Sequence, residues 1–226
     1  ISEDGDIQWY SRRDLIRNRS NYNFYITTDF ATSEKTSADF SVISVWALNN
    51  KGYWYYVDGI CKRQLLDQSI KDLFRLVQIY NPLSVGIEVT GQQQGFISWI
   101  QQEMMDKNTF FNLASAGNGS AAGIRPSSQK FTRFMSVLPW FKQKLFYFPE
   151  EMRNDPPMVE GMNELTLVAK GGFKSKHDDF IDTISMLSMM DTWRPSASMD
   201  FQYNDKSGLW EDVEDDSPTS MGSYIV

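Results

Sequence analysis

Two adjacent aspartates at the start of a predicted helix are the feature of this sequence that most suggests chemistry. Asp178 and Asp179 follow a glycine- and lysine-rich segment, residues 171–177, and precede an apolar pattern that predicts a helix over residues 178–193. Carboxylates are stabilised near the N-terminus of a helix, so either residue taken alone could simply be a cap. A chemical role for the pair therefore depends on whether other acids join it.

Two further acids occur where predicted strands end. Asp29 lies near the end of a β-branched and aromatic run, residues 23–30, and Glu88 lies near the end of a short apolar run, residues 84–89. If these strands are parallel neighbours, both acids emerge at one edge of the sheet, where open α/β sheets bind their ligands. Asp39 and Asp182 are weaker candidates for a supporting role behind these acids, and Asp58 is expected to be structural.

Three or four carboxylates in one place repel one another unless cations neutralise them. All-oxygen ligands suit Mg²⁺, with Mn²⁺ as a substitute, and two such ions about 3.5–4 Å apart could activate water and stabilise the leaving 3′ oxygen of a phosphodiester. The lone histidine, His177, could move a proton or contact phosphate, but a role beside the helix cap is favoured. With Cys61 as the only cysteine, an internal disulfide and a cysteine-based zinc site are excluded.

The net charge of −7 first argues against a nucleic-acid partner, but the charge is unevenly distributed. Residues 200–216 contain seven acids and one base, so the remainder, with 22 acids and 21 bases, is nearly neutral. We expect basic residues beside the acids to contact DNA phosphates, with solvated loop charges as the alternative. These residues are Lys130, Arg133, Lys170, Lys174 and Lys176.

The order of the predicted elements indicates an α/β fold. Three successive strands, residues 23–30, 39–48 and 53–57, should form an antiparallel meander, and alternating helices and strands follow it. The predicted sheet is therefore mixed, with helices on both faces. We expect a linker over residues 1–21, one domain over residues 22–195 and an acidic, irregular tail over residues 196–226. No membrane span or signal peptide is expected.

Four short motifs, taken in order, carry a resemblance to a known family. Residues 28–31 (TDFA), 39–43 (DFSVI), 87–91 (IEVTG) and 177–182 (HDDFID) together resemble the C-terminal nuclease domain of tailed-bacteriophage large terminases, most of all the T4-like group. The similarity spans about residues 22–193 and includes Lys130 and Arg133. It implies an RNase H-like (RuvC/resolvase-like) fold and a Mg²⁺-dependent endonuclease that cuts concatemeric viral double-stranded DNA during genome packaging.

The resemblance also implies site residues and partners. The metal ligands would be Asp29, Glu88 and one of Asp178 or Asp179, with Asp179 favoured because Asp178 is better placed as a cap. Full-length terminases carry an N-terminal ATPase domain and act with a portal and a small terminase on the prohead in the host cytoplasm. This chain contains no Gly-x-x-x-x-Gly-Lys-Ser/Thr phosphate loop, so no ATPase activity is expected of it.

Two other functions remain open from the sequence. One is a different RNase H-like nuclease, such as a junction resolvase or an RNA–DNA hybrid nuclease. The other is a docking module without enzymatic activity, in which the acids are structural.

Overall fold

A six-stranded mixed sheet forms the centre of the molecule. The computed structural model describes residues 1–31, 40–89 and 94–196. Its strands are β1 (Gln8–Tyr10), β2 (Tyr22–Asp29), β3 (Ser41–Asn49), β4 (Trp54–Lys62), β5 (Ser84–Ile87) and β8 (Phe146–Pro149). Their order across the sheet is β1-β8-β4-β3-β2-β5.

Helices and two small ribbons complete the described fold. The helices are α1 (Glu3–Asp6), α2 (Arg12–Arg17), α3 (Leu66–Tyr80), α4 (Gln94–Asp106), α5 (Lys130–Lys142), α6 (Pro156–Thr166) and α7 (Asp179–Met186). The ribbons pair β6 (Ser115–Ala116) with β7 (Gly123–Ile124) and β9 (Val168–Ala169) with β10 (Gly172–Phe173). Within the described ranges, no helix has both the length and the apolar character that crossing a membrane requires.

The predicted antiparallel meander is confirmed. Strands β2, β3 and β4 pair antiparallel, and the β3–β4 turn is closed by Asn49, whose side-chain oxygen accepts hydrogen bonds from the backbone of Lys51 and Tyr53. Strand β5 then pairs parallel with β2, in a register that places Ile87 opposite Thr28. The residues that follow these two strands therefore leave the sheet side by side.

The sheet is buried on both faces, which explains its continuous apolar strands. On one face Trp46 packs in a cluster with residues of α5, α6 and α7, including Phe134 and Phe180. On the other face Ile26 packs with residues of α3 and α4. Trp46 and its neighbour Val45 in β3 belong to these two different cores, and the prediction of an α/β fold with helices on both faces is confirmed.

The segment predicted as a linker is folded onto the sheet instead. Strand β1 pairs parallel with β8, with Trp9 opposite Phe148, and Leu15 of α2 is buried. Arg12 donates a hydrogen bond to the carbonyl oxygen of Val57 at 2.6 Å. The sequence did not reveal this contribution because three residues of β1 are too few to show a strand period.

Two boundaries also differ from those predicted. Strand β4 continues to Lys62, beyond the predicted end at residue 57, so Asp58 lies within the strand. Asp58 accepts a hydrogen bond from the hydroxyl of Tyr80 at 2.7 Å. Helix α7 ends at Met186 and is followed by a 3₁₀ turn over Leu187–Met189, whereas the sequence predicted a helix to residue 193. Most of the predicted acidic tail, residues 197–226, lies outside the described residues.

Candidate functional site

Asp29 and Glu88 lie together at one edge of the sheet, as their positions at strand ends predicted. Asp29 is the last residue of β2, and Glu88 directly follows β5, the parallel neighbour of β2. Glu88 also forms an isolated parallel bridge with Ile124, which holds the chain beyond β5. The local reason for this placement is the end of α3, where Asn81 adopts a left-handed conformation and Pro82 prevents the helix from continuing.

The surroundings of these two acids oppose their ionisation. Burial raises the pKa of Asp29 well above its usual value, and the neighbouring charges of Glu88 and Asp182 raise it further. Burial also raises the pKa of Glu88, although the guanidinium of Arg133 acts in the opposite direction. Such crowding of desolvated carboxylates is more typical of a functional site than of a structural sheet edge.

Helix α7 brings three more acids to this edge. Asp179 and Asp182 are buried, with 2% and 1% of their surface exposed, while Asp178 is half-buried. One carboxylate oxygen of Asp179 accepts a hydrogen bond from the backbone N–H of Phe40 at 3.0 Å. Since Phe40 directly precedes β3, this bond ties the start of α7 to the central sheet.

Two basic residues of α5 lie among these acids. Lys130 Nζ is 2.8 Å from Asp178 Oδ1 and 2.6 Å from Asp182 Oδ2. Arg133 Nη2 is 2.9 Å from Asp182 Oδ1 and 3.4 Å from Glu88 Oε2. The buried carboxylate of Asp182 therefore holds both cations, and each cation reaches a second acid of the site.

These contacts change the interpretation of both basic residues. Burial alone would lower the pKa of Lys130, but the charge of Asp182 and the hydrogen bond to Asp178 raise it, so the ammonium group stays protonated. Only 7% of Arg133 is exposed, so in this conformation its guanidinium neutralises buried acids. The structure therefore places Arg133 inside the protein and not on a surface that a DNA phosphate could reach.

Asp178 is not the helix cap that the sequence favoured. It occupies the N-cap position of α7, but its side chain makes no capping hydrogen bond and instead contacts Lys130. The side chain that accepts a hydrogen bond from the first turn of α7 belongs to α6 instead. Glu164 Oε2 accepts this bond from the backbone N–H of Ile181 at 3.0 Å. Sequence reasoning missed Glu164, and its one signal was an acid among the apolar residues Met158, Met162 and Leu165 of the buried face of α6.

His177 and Asp39 were expected to support the acids. His177 Nε2 lies 3.4 Å from Arg63 Nη2, and its ring packs edge-on against Phe40 with ring centroids 5.0 Å apart. Its Nδ1 is 3.9 Å from Asp179 Oδ2, so His177 lies beside the acid cluster. Asp39 lies outside the described residues.

The three predicted DNA-binding lysines lie on or just beyond the β9–β10 ribbon, and all are exposed. They are Lys170, Lys174 and Lys176. Phe173 of β10 packs edge-on against Phe131 and Phe134 of α5, with centroid separations of 5.5 and 5.8 Å. The ribbon is thereby attached to the helix that carries Lys130 and Arg133.

This chain is similar in structure to solved proteins that comparison of sequences does not find. No protein-family model matches the sequence, and no curated protein sequence matches it. The nuclease domain of human cytomegalovirus terminase, Mn-soaked and inhibitor-bound, superposes with a TM-score of 0.57 at 12% identity, over 82% of this chain and 90% of that chain. A second structure of that domain gives a TM-score of 0.55 at 13% identity, over 82% and 91% of the two chains.

This chain has the fold of a terminase nuclease domain. The RNase H-like fold expected from the sequence is therefore confirmed. A nuclease from the large terminase of the thermophilic phage G20c, with bound zinc, is also similar, with a TM-score of 0.49 at 17% identity over 76% of this chain and 83% of that one. Fold alone does not establish activity, which has to be argued from the site.

The side chains at this edge of the terminase-nuclease fold suit a hard divalent cation by their chemistry. Asp29, Glu88, Asp178 and Asp179 offer only carboxylate oxygens, the ligands that Mg²⁺ and Mn²⁺ prefer. Within residues 1–31, 40–89 and 94–196, however, no three acidic, histidine or cysteine side chains are close enough together to hold an ion. In this conformation the neighbouring positive charges come from Lys130 and Arg133.

Proposed function

We propose that this chain is a divalent-metal-dependent endonuclease, the nuclease half of a viral large terminase. Its reaction would be hydrolysis of phosphodiester bonds in concatemeric double-stranded viral DNA during genome packaging. The observation that carries the proposal is the convergence of Asp29 and Glu88, on adjacent parallel strands, with the acids of α7. This convergence occurs in a fold whose similar solved structures include terminase nuclease domains.

Asp29, Glu88 and Asp179 would hold the metal, with Asp178 as the alternative to Asp179. The capping argument that favoured Asp179 no longer applies, because Asp178 does not cap α7. Mg²⁺ is the proposed ion, with Mn²⁺ as a substitute, and two bound ions would supply activation of water and charge stabilisation of the leaving oxygen. Burial raises the pKa of Asp29, and a bound cation would favour the ionised form that acts as a ligand.

The rest of the site would bind the nucleic-acid backbone. Lys170, Lys174 and Lys176 are exposed on or just beyond the ribbon that Phe173 attaches to α5, and they would contact phosphates, which gives affinity without sequence recognition. Asp182 would keep Lys130 and Arg133 beside the acids, so that the acid cluster does not repel the polyanionic substrate as strongly as its carboxylates alone would. Lys130, whose side chain is 42% exposed, could also reach a phosphate.

In its biological setting, the chain would work as part of a tailed-bacteriophage packaging motor in the host cytoplasm. An N-terminal ATPase domain of the full-length protein, a portal and a small terminase would be its partners. The chain itself lacks the phosphate loop of such an ATPase, so nicking, and not translocation of DNA, is the activity to test.

A plasmid-cleavage assay tests this proposal. We expect supercoiled DNA to be nicked and linearised with Mg²⁺ or Mn²⁺ and to stay intact with a chelator. Asp29→Asn and Glu88→Gln should abolish cleavage without loss of the fold, as measured by circular dichroism. Asp67→Asn is the matched control, because Asp67 is a half-buried surface acid on α3, across the sheet from α7.

Full cleavage activity of the Asp29→Asn and Glu88→Gln variants would refute the proposed site. Absence of metal-dependent cleavage by the wild-type chain would favour a docking module. Strong preference for a four-way junction or an RNA–DNA hybrid over ordinary duplex DNA would instead indicate another RNase H-like nuclease.

A further inference from the structure

The start of α7 needs an acceptor for its free backbone N–H groups. The first N–H groups of a helix have no partner within the helix, and a side chain at the N-cap commonly accepts one of them. Asp178 holds that position in α7 but makes no side-chain capping bond. Its carboxylate is instead 2.8 Å from Lys130 Nζ, on the side of the acid cluster.

Glu164 supplies the missing acceptor from a different helix. Its Oε2 accepts the N–H of Ile181 at 3.0 Å, and Ile181 lies in the first turn of α7. Only 2% of Glu164 is exposed, and within the described residues its other oxygen, Oε1, has no hydrogen-bond partner. A buried and incompletely paired carboxyl group costs free energy, so simple packing does not explain an acid here.

Close packing of α6 on α7 brings the Glu164 carboxyl group within hydrogen-bonding distance of the α7 backbone. Gly161, one turn before Glu164, lies against the ring of Phe180, and a Cβ at Gly161 would come within 2.7 Å of Phe180 Cδ1. The helices can therefore approach closely only because residue 161 lacks a side chain. Glu164 then faces the backbone of α7 directly.

We propose that Glu164 is a positioning residue of the nuclease site. By capping α7 in place of Asp178, it leaves the Asp178 carboxylate free to turn toward Lys130 and the other acids, and it fixes the first turn that carries Asp179 and Asp182. This inference rests on the proposed function, since it assigns Glu164 a role in placing the ligands of that site.

The test uses the whole chain with three substitutions. Glu164→Ala removes the acceptor, Glu164→Gln keeps a side-chain oxygen that can accept the same hydrogen bond, and Glu164→Asp retracts the carboxylate by one methylene. Glu160→Gln is the matched control, because Glu160 is a more exposed glutamate one turn earlier on the same helix. Mn²⁺ affinity is measured by calorimetric titration, and exchange of the Ile181 amide is measured by NMR.

For Glu164→Ala we expect faster exchange at Ile181 and a Mn²⁺ affinity about 10- to 100-fold weaker, the usual cost of losing a group that orients metal ligands. Glu164→Gln and Glu160→Gln should stay close to wild type in both measurements. If the alanine variant does not fold, Glu164→Asp should show the same pair of changes, because its shorter side chain no longer reaches Ile181.

Two results overturn the inference and differ in what else they refute. A folded Glu164→Ala variant with a lower melting temperature but wild-type Mn²⁺ affinity and DNA cleavage would show a cap that is only structural, and the proposed function would stand. Absence of Mn²⁺ binding and cleavage in the wild-type protein would refute the proposed function and, with it, the positioning role of Glu164.

Discussion

Replacing Arg133 with methionine should strongly destabilise the protein. Arg133 is buried, and its guanidinium lies within ion-pairing distance of Asp182 and Glu88. Methionine keeps much of the side-chain volume but leaves two acids of a crowded cluster without this cation. The ion pairs are lost and the repulsion among the acids increases. Both effects lower the stability of the folded protein.

The structure sets the size of the expected effect. Removing one partner of a buried ion pair typically costs about 3–5 kcal/mol. In the variant, Lys130 still neutralises Asp182, because Lys130 Nζ lies 2.6 Å from Asp182 Oδ2. The expected loss of unfolding free energy is therefore near the lower end of this range, about 3 kcal/mol. For a chain of this length such a loss lowers the melting temperature by about 6–12 °C.

Urea denaturation of wild type and variant, followed by circular dichroism, measures this difference as a shift in midpoint at unchanged slope. Arg75→Met is the control, because Arg75 Nε lies 3.7 Å from Asp72 on the surface of α3 and its side chain is 52% exposed. The control should lose no more than about 1 kcal/mol. A loss below about 1 kcal/mol in Arg133→Met as well would refute the conclusion that this cation stabilises the buried acids.

Three further predictions concern protons and DNA. The pKa of Asp29 is raised in the folded protein, so its stabilising contribution is present below the unfolded-state pKa and lost as pH rises through the folded-state pKa. With a chelator present, Asp29→Asn should therefore melt above wild type at about pH 8 and lose that advantage at about pH 4, as calorimetry would show. Burial raises the pKa of Glu164 from 4.5 to about 8, so the melting temperature of Glu164→Gln relative to wild type should rise between those pH values; a pH-independent difference would contradict the assignment. Replacing Lys174 and Lys176 with alanine should weaken duplex binding and reduce the slope of log affinity against log salt by about 2, whereas Lys71→Ala, on the opposite face, should leave fluorescence-anisotropy titrations unchanged.

Much of the sheet and part of the site could be predicted from the sequence because their signals are local. The β-branched and aromatic runs of β2 and β3 predict buried strands, and Asn81-Pro82 predicts the end of α3. Since Asp29 and Glu88 sit at the ends of such runs, their shared edge follows once the two strands pair in parallel. That pairing was a condition of the prediction, and the structure supplies it.

Only the tertiary structure decided which charges meet. The sequence indicated Lys130 and Arg133 as phosphate contacts and Asp182 as a supporting acid, but nothing local indicates that α5 would place both cations on one buried carboxylate of α7. It likewise assigned the cap of α7 to Asp178, whereas the acceptor is Glu164, fourteen positions earlier in the chain. The physical reason is that helix and strand periods are set by neighbouring residues, while a buried carboxyl group takes its partner from whichever element packs against it.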